Sequence, residues 1–161
     1  WWSNRVLRGF LRSWSVAGVF LAAGGWRALG VFLLAGAYNK LLLEALNYME
    51  HYGLVRVPGT PIEPRHSWNS VSAFSHAVLF NLPWHADHHA RSQVQYPELR
   101  ATETAPVLGQ GYLATLPLVL VPPLWRRLIA PRLAAWDRER ASAAECRLVA
   151  GERLPCIDTK A

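Results

Sequence analysis

The 161-residue sequence is poor in cysteine and in charged residues. Its two cysteines, Cys146 and Cys156, lack the CxxC spacing of rubredoxin-type and zinc-ribbon sites, which excludes those metal sites. Charged residues make up 17% of the chain, below the roughly 25% of an average soluble domain, whereas hydrophobic residues make up 52%. This balance favours a membrane protein over a soluble domain with a solvated surface.

The net charge of +6 comes almost wholly from arginine, since only Lys40 and Lys160 are lysines. The arginines flank apolar segments and are not interleaved with aromatic residues as in a nucleic-acid-binding groove. Basic residues at the ends of apolar segments are typical of membrane helices, where they mark the cytoplasmic side. We therefore expect membrane lipid as a partner and no nucleic acid.

Two apolar stretches near the start of the chain lie on either side of Arg27. A single span would place Arg27 near the bilayer centre, at about 3 kcal/mol even on a mild insertion scale. Two helices that meet near Gly24 and Gly25 avoid this cost. We predict a helical hairpin whose first helix starts near Phe10 and whose second helix covers residues 27–52. The second helix is long enough to cross a ~30 Å hydrocarbon core.

The second helix carries a polar stripe formed by Lys40, Glu44, Asn47 and His51, whose spacing places them on one face. Polar residues in an apolar helix usually face a bundle interior or a water-filled cavity, so Glu44 and Asn47 could line a channel that leads to His51. Alternatively, Lys40 and Glu44 form a simple ion pair one helical turn apart. The spacing leaves both interpretations open.

Proline and glycine divide the rest of the chain into short segments. Residues 53–65 are predicted to form a loop and residues 67–82 a short helix. The prolines within residues 112–130 favour an interfacial or re-entrant segment over a clean span. Residues 137–161 are polar and are expected to form a disordered tail. The predicted fold class is all-α: a fragment of an integral membrane helical bundle, with interfacial short helices that carry a histidine cluster.

The histidine cluster lies in a predicted short helix over residues 83–94. His85, His88 and His89 have i, i+3, i+4 spacing, so in a helix they share one face. Imidazole is a favoured ligand for iron, zinc and copper. Three imidazoles on one face are hard to explain by packing, because each buried histidine needs a hydrogen-bond partner. A solvated surface patch is the alternative to a metal site.

Three motifs follow one another in the sequence. Residues 47–54 read NYMEHYGL, residues 65–70 read RHSWNS, and residues 82–90 read LPWHADHHA. In order and spacing they resemble the NYxEHYGL motif, the HSWNS segment and the last histidine box of the bacterial membrane alkane 1-monooxygenases. That family belongs to the fatty-acid-desaturase-like di-iron superfamily. Among its departures from the family's usual LQRHSDHHA, the box has Pro83 and Trp84 where the family has Gln and Arg.

The resemblance implies an integral membrane enzyme with two non-haem iron ions. Such an enzyme hydroxylates the terminal methyl of an alkane or a similar apolar chain, using O₂ and electrons from rubredoxin, itself reduced by rubredoxin reductase. The implied location is the bacterial inner membrane, multi-pass, with the histidine cluster on the cytoplasmic side. The implied metal ligands in this chain are His51, His85, His88 and His89.

Two acidic residues lie beside these histidines. By position, Asp87 and Glu50 could orient ligating imidazoles through hydrogen bonds. The simpler alternatives are a favourable charge at a helix N-terminus for Asp87 and a solvent-facing side chain for Glu50. His66, in the second motif, is expected to make loop hydrogen bonds and not to bind metal.

The earlier histidine boxes of the family, with HExxxHK-like and EHxxGHH-like patterns, do not occur in this sequence. Residues 1–136 therefore resemble only the C-terminal part of the hydroxylase domain, and we expect the chain by itself to be inactive. Two alternatives stay open. One is a desaturase-like oxidation of a lipid, and the other is a non-catalytic membrane fragment that binds a single metal.

Overall fold

The computed structural model describes residues 3–149, which form α-helices, turns and extended segments. Within this range the helices are α1 (Arg5–His51), α2 (Ala73–Val78), α3 (His85–Ala90), α4 (Tyr112–Val119), α5 (Pro122–Glu139) and α6 (Ala143–Val149). Short 3-10 turns lie at Pro64–His66 and Tyr96–Glu98. The β-structure recorded in the described range is an isolated bridge between Asn69 and Val107. The predicted all-α fold class is confirmed.

Helix α1 contains a reversal at a pair of glycines. Gly24 and Gly25 have non-helical backbone angles, and Gly25 has φ +64° and ψ −160°, a conformation nearly restricted to glycine. The rings of Phe20 and Phe32 stack with centroids 4.9 Å apart. In an unbroken helix these two residues would be ~18 Å apart. The predicted hairpin is therefore confirmed, although its first helix begins at Arg5 and not near Phe10.

Helix α1 is also the element that fits a membrane. Among the described residues it is the helix long and apolar enough to cross a bilayer, and 6% of its most apolar window is buried. Large apolar side chains such as Val19, Val31 and Leu34 are exposed along it. Exposed apolar surface of this extent marks an interaction site, which supports a membrane context.

The chain divides after Glu44 into two compact units. The second unit, which begins with the last turns of α1, has its core around Trp68. This core consists of Met49, Trp68, Leu108, Tyr112, Val119, Trp125 and Ile129. The Tyr112 hydroxyl donates a hydrogen bond to the Trp68 carbonyl, and the Trp68 indole N–H donates to the Tyr52 carbonyl. The core thus joins the end of α1 to α4 and α5.

The predicted helix over residues 67–82 is wrong at both ends, since α2 covers only Ala73–Val78. Residues 67–70 are extended and buried, because their backbone groups bond to segments distant in sequence. The helix begins only at Ala73, where the Ser72 hydroxyl accepts a hydrogen bond from the Ser75 backbone N–H. The run over residues 112–130 breaks into α4 and α5, and two prolines occupy the first turn of α5.

The predicted disordered tail is wrong for residues 137–149. Helix α5 continues to Glu139 and α6 follows at Ala143–Val149. The Glu145 carboxylate is buried, with 2% of the residue exposed, and it accepts hydrogen bonds from Ser142, directly before α6, and from His66 in a distant segment. The remainder of the predicted tail, residues 150–161, lies outside the described residues.

Candidate metal centre

Two helix ends bring three histidines together. His51 comes from the last turn of α1, and His85 and His89 lie one turn apart on α3. The His51 Nε2 atom lies 3.1 Å from the Nε2 atoms of both His85 and His89, and those two are 2.9 Å apart. Among the described residues these three form a group able to hold a metal ion.

The spacing of the three Nε2 atoms fits ligands of a single ion. Imidazole nitrogens bind metals at about 2.0–2.1 Å, so two of them at a right angle around one ion are ~2.9 Å apart. The observed separations of 2.9 to 3.1 Å match that value. Three imidazole lone pairs this close would repel one another, and a cation removes the repulsion. The donor set therefore fits a transition metal such as iron.

Hydrogen bonding behind the rings orients His51. Its Nδ1 atom lies 3.2 Å from the His66 carbonyl oxygen, which can only accept a hydrogen bond. Nδ1 therefore carries the proton and the Nε2 lone pair faces the other two histidines, as a metal ligand requires. His66 is the loop residue expected from the sequence, and its carbonyl adds a role in orienting His51.

The environment keeps His85 and His89 neutral. Burial, together with the nearby imidazoles of His89, His51 and His88, lowers the pKa of His85 to about 3. Burial, followed by the His51 and His88 charges, also lowers the pKa of His89. Neutral imidazoles at pH 7 present free lone pairs, which is the form that binds metal.

Glu50 is the acidic residue nearest to the three histidines. It is 3% exposed, and its Oε2 atom lies 3.4 Å from the His85 Nε2 atom. Its Oε1 atom is buried without a hydrogen-bond partner among the described residues. An unpartnered buried carboxylate oxygen is costly, and a neighbouring cation would compensate it. Glu50 thus sits beside the metal-facing nitrogens and not behind a ring.

His88 is separate from this group. Its ring centroid lies 5.9 Å from those of both His85 and His89, and the side chain is half-buried. The described residues thus bring three of the four predicted ligands to one point. His88 is adjacent to the three-histidine group but not part of it.

Comparisons with known proteins identify the family of this chain. Residues 2–129 match the model of the fatty acid desaturase family. The chain belongs to that family. Over 140 residues it is 37% identical to alkane 1-monooxygenase 1 of Pseudomonas aeruginosa, which covers 84% of this chain and 37% of the relative. Over 101 residues it is 43% identical to alkane 1-monooxygenase 2 of Alcanivorax borkumensis, covering 60% and 26%.

The name of a third relative indicates a different hydrocarbon substrate for that protein. The hydroxylase component of xylene/toluene monooxygenase from Pseudomonas putida is 36% identical over 107 residues, covering 66% of this chain and 29% of the relative. The resemblance to alkane 1-monooxygenases within the desaturase-like superfamily is confirmed. The chain spans 26% to 37% of the length of these three relatives.

In this member of the family, Asp87 does not orient an imidazole. Its carboxylate accepts hydrogen bonds from the Arg91 guanidinium, with Nε at 2.7 Å, and from the Arg100 backbone N–H at 2.9 Å. The hydrogen bond from Arg91 is the main cause that lowers the pKa of Asp87. Two residues beyond His85, Asp87 lies on the opposite side of α3 from the histidine face. It holds the segment after α3 in place.

The polar stripe of α1 also differs from the predicted channel wall. Lys40 and Glu44 form an ion pair in which both side chains are more than half exposed. Asn47 is exposed as well. The simpler interpretation of Lys40 and Glu44 therefore holds in the described chain, and of the four stripe residues only His51 reaches the histidine group.

Two functional residues were missed from the sequence. The Asn69 side-chain oxygen accepts a hydrogen bond from the Ala86 N–H at 2.9 Å, in the first turn of α3. Glu145 bonds His66, whose carbonyl orients His51. The HSWNS motif could have pointed to Asn69, because a motif with a single histidine among polar residues suggests hydrogen bonding. Nothing local marks Glu145.

Proposed function

We propose that this chain is the C-terminal metal-binding part of a membrane monooxygenase that hydroxylates the terminal methyl of an alkane or a similar apolar molecule. The observation that carries the proposal is the triangle of Nε2 atoms with sides of 2.9 to 3.1 Å. Family membership and the alkane 1-monooxygenase relatives give this site its chemistry. A neutral nitrogen set without thiolates suits non-haem iron.

The residues of this chain have distinct tasks at such a centre. His51, His85 and His89 would hold one iron ion, with the Glu50 carboxylate beside it, and His88 would serve a second. Bound non-haem iron supplies the activation of O₂ that a strong C–H bond requires. The protein keeps the His85 and His89 imidazoles neutral, fixes the His51 ring through the His66 carbonyl, and buries His85 and Glu50 away from water.

Substrate and electron donor follow from the surfaces and the relatives. An alkane and xylene or toluene are both apolar, and an apolar substrate can reach the site from the bilayer that α1 fits. We propose rubredoxin, reduced by its reductase, as the electron donor. Rubredoxins tend to be acidic, and the exposed Arg126 and Arg127 on α5 offer a complementary charge.

The same proposal includes the cellular location of the enzyme and the part of the hydroxylase domain that this chain contributes. The enzyme would be a multi-pass protein of the bacterial inner membrane, with the histidine cluster on the cytoplasmic side. Residues 1–136 would belong to the hydroxylase domain. With four candidate ligands this chain alone would be inactive, and other histidines would complete the di-iron centre.

The experiment that tests this proposal is iron analysis, Mössbauer spectroscopy and alkane turnover by the complete gene product in detergent, with rubredoxin and its reductase added. We expect two coupled irons per chain and terminal alcohols as products. His85→Gln should abolish both, whereas the control His76→Gln should retain them, because the His76 side chain bonds the Ser70 carbonyl and packs on the Trp84 ring without contacting the three-histidine group. Stoichiometric zinc, or one iron without alcohol formation, contradicts the proposal.

A further inference from the structure

Helix α6 is attached to the segment that orients His51. The Glu145 Oε1 atom accepts hydrogen bonds from His66 Nε2 at 2.7 Å and Arg65 Nη2 at 3.3 Å. Its Oε2 atom accepts from the Ser142 backbone N–H at 2.7 Å and from the Ser142 hydroxyl at 2.8 Å. Both carboxylate oxygens are therefore occupied, and Glu145 holds His66 and α6 together.

The contact fixes the ring of His66 completely. The Glu63 backbone N–H donates to His66 Nδ1 at 3.0 Å, so that nitrogen is an acceptor and carries no proton. The proton is then on Nε2, which donates it in the hydrogen bond to Glu145. Because each ring nitrogen has one defined partner, the ring cannot flip without loss of both bonds. The His66 backbone is held with it.

Helix α5 fixes the same segment from a second side. The Trp136 indole N–H donates to the Arg65 carbonyl at 2.7 Å, and the Arg65 guanidinium donates to the Arg140 carbonyl at 3.0 Å. Residues 65 and 66 are thus held by α5, by the turn after it and by α6. The next bond in this series is the one from His51 Nδ1 to the His66 carbonyl.

From this series of contacts we infer that Glu145 is a positioning residue for the metal ligand His51, acting through His66. The inference rests on the proposed role of His51 as a ligand. Helix α6 carries no metal ligand of its own, and the inference gives it a positioning role at the metal centre. Partners that orient ligating imidazoles typically change metal affinity about 10–100-fold when they are removed. Since Glu145 acts through one intervening residue, we expect an effect near the lower end.

The test compares Glu145→Ala with Glu145→Gln in the complete gene product. Glu145→Ala should weaken metal binding about 10-fold and alter the ligand-field spectrum of the cobalt-substituted protein. Glu145→Gln should restore most of the affinity, because its amide oxygen can still accept from His66 Nε2. The matched control is Glu139→Ala, which removes an exposed glutamate at the end of α5 and should leave both readouts unchanged.

A second measurement needs no metal. In the metal-free protein, the ¹⁵N shifts of the His51 imidazole report which nitrogen carries the proton. We expect the Nδ1–H form in the wild type and a mixture of tautomers in Glu145→Ala. If the wild type bound no iron yet the His51 tautomer depended on Glu145, the proposed function would fail and the positioning role would stand.

Other outcomes overturn the inference. If Glu145→Ala lowered the melting temperature but left cobalt affinity, spectrum and His51 tautomer as in the wild type, Glu145 would be merely structural. Should Glu145→Ala not fold, Ser142→Ala removes the hydroxyl that donates to Oε2 and that also accepts from the Glu145 backbone N–H at the start of α6, which loosens the Glu145 side chain. It should then shift the same readouts in the same direction by a smaller factor, and no shift would also refute the positioning role.

Discussion

The side chain of Asn69 provides a direct test of how the metal-bearing helix is held. Asn69 is 1% exposed, and its Oδ1 atom accepts from the Ala86 N–H, which is also buried. Its backbone N–H donates to the Pro106 carbonyl and its carbonyl accepts from the Leu108 N–H, both at 2.8 Å. Asn69→Ala therefore leaves the backbone bonds intact and removes one acceptor from the start of α3.

The magnitude follows from the group that is left unpaired. A buried donor without an acceptor costs about 1–3 kcal/mol, so Asn69→Ala should lower the free energy of unfolding by that amount. Helix α3 carries His85 and His89, and an opened α3 would remove two of the three Nε2 atoms from the site. A loss of 1–3 kcal/mol corresponds to a change of roughly 5-fold to 150-fold in an equilibrium constant. We therefore expect metal affinity to fall, and this range is the upper limit of the fall.

The assay pairs thermal unfolding with cobalt titration of the complete gene product in detergent. Asn69→Asp keeps an oxygen in the same position and should recover part of the metal affinity, whereas burial of its carboxyl group should keep the stability below that of the wild type. The control is Asn39→Ala in the exposed part of α1, where a surface substitution should change stability by less than about 0.5 kcal/mol. Wild-type melting and wild-type affinity for Asn69→Ala would refute the view that this amide anchors α3.

Two further predictions concern the hairpin and the response to acid. Gly25→Ala should destabilise the hairpin by about 1–3 kcal/mol, because alanine is strained at φ +64° and ψ −160°. Gly36→Ala is the control, since a Cβ at that position meets nothing within 4 Å. Equal thermal stability of the two variants would contradict this prediction. Burial raises the pKa of Glu145, but the hydrogen bonds from Ser142 and His66 and the charge of Arg65 together outweigh burial and lower that pKa below its usual value. The stabilising effect of Glu145 is therefore present above pH ~4.5 and is lost as the pH falls through the folded pKa. Acid unfolding curves should therefore fall more steeply for the wild type than for Glu145→Gln, and parallel curves would contradict the assignment.

The hairpin and the histidine face could be predicted from the sequence because their causes are local. The glycine pair beside Arg27 gives the reversal, and helical spacing gives the shared face of His85 and His89. The Asp87 partner was also within local reach, since Arg91 stands one helical turn away at a spacing typical of ion pairs.

The errors arose where long-range contacts decide. Residues 67–70 look like the start of a helix by their capping residues, but hydrogen bonds with three distant segments, at residue 50, residues 83–86 and residues 106–108, hold residues 68–70 extended. The polar composition of residues 137–149 suggested disorder, yet the partners of Glu145 lie 79 and 80 residues earlier in the chain. The local amino-acid composition cannot indicate that a carboxylate is buried against donors so distant in sequence.

One short segment explains how two separate helices hold the three nitrogens at nearly equal distances. His66 orients His51 through its carbonyl, and the Trp68 N–H donates to the Glu50 carbonyl at 2.8 Å, which satisfies an end carbonyl of α1. Asn69 bonds the first turn of α3. Both ligand-bearing helix ends are thus fixed to residues 66–69. The end of α1 and the start of α3 are each bonded to residues 66–69. The geometry of the site therefore depends on this segment as much as on the histidines themselves.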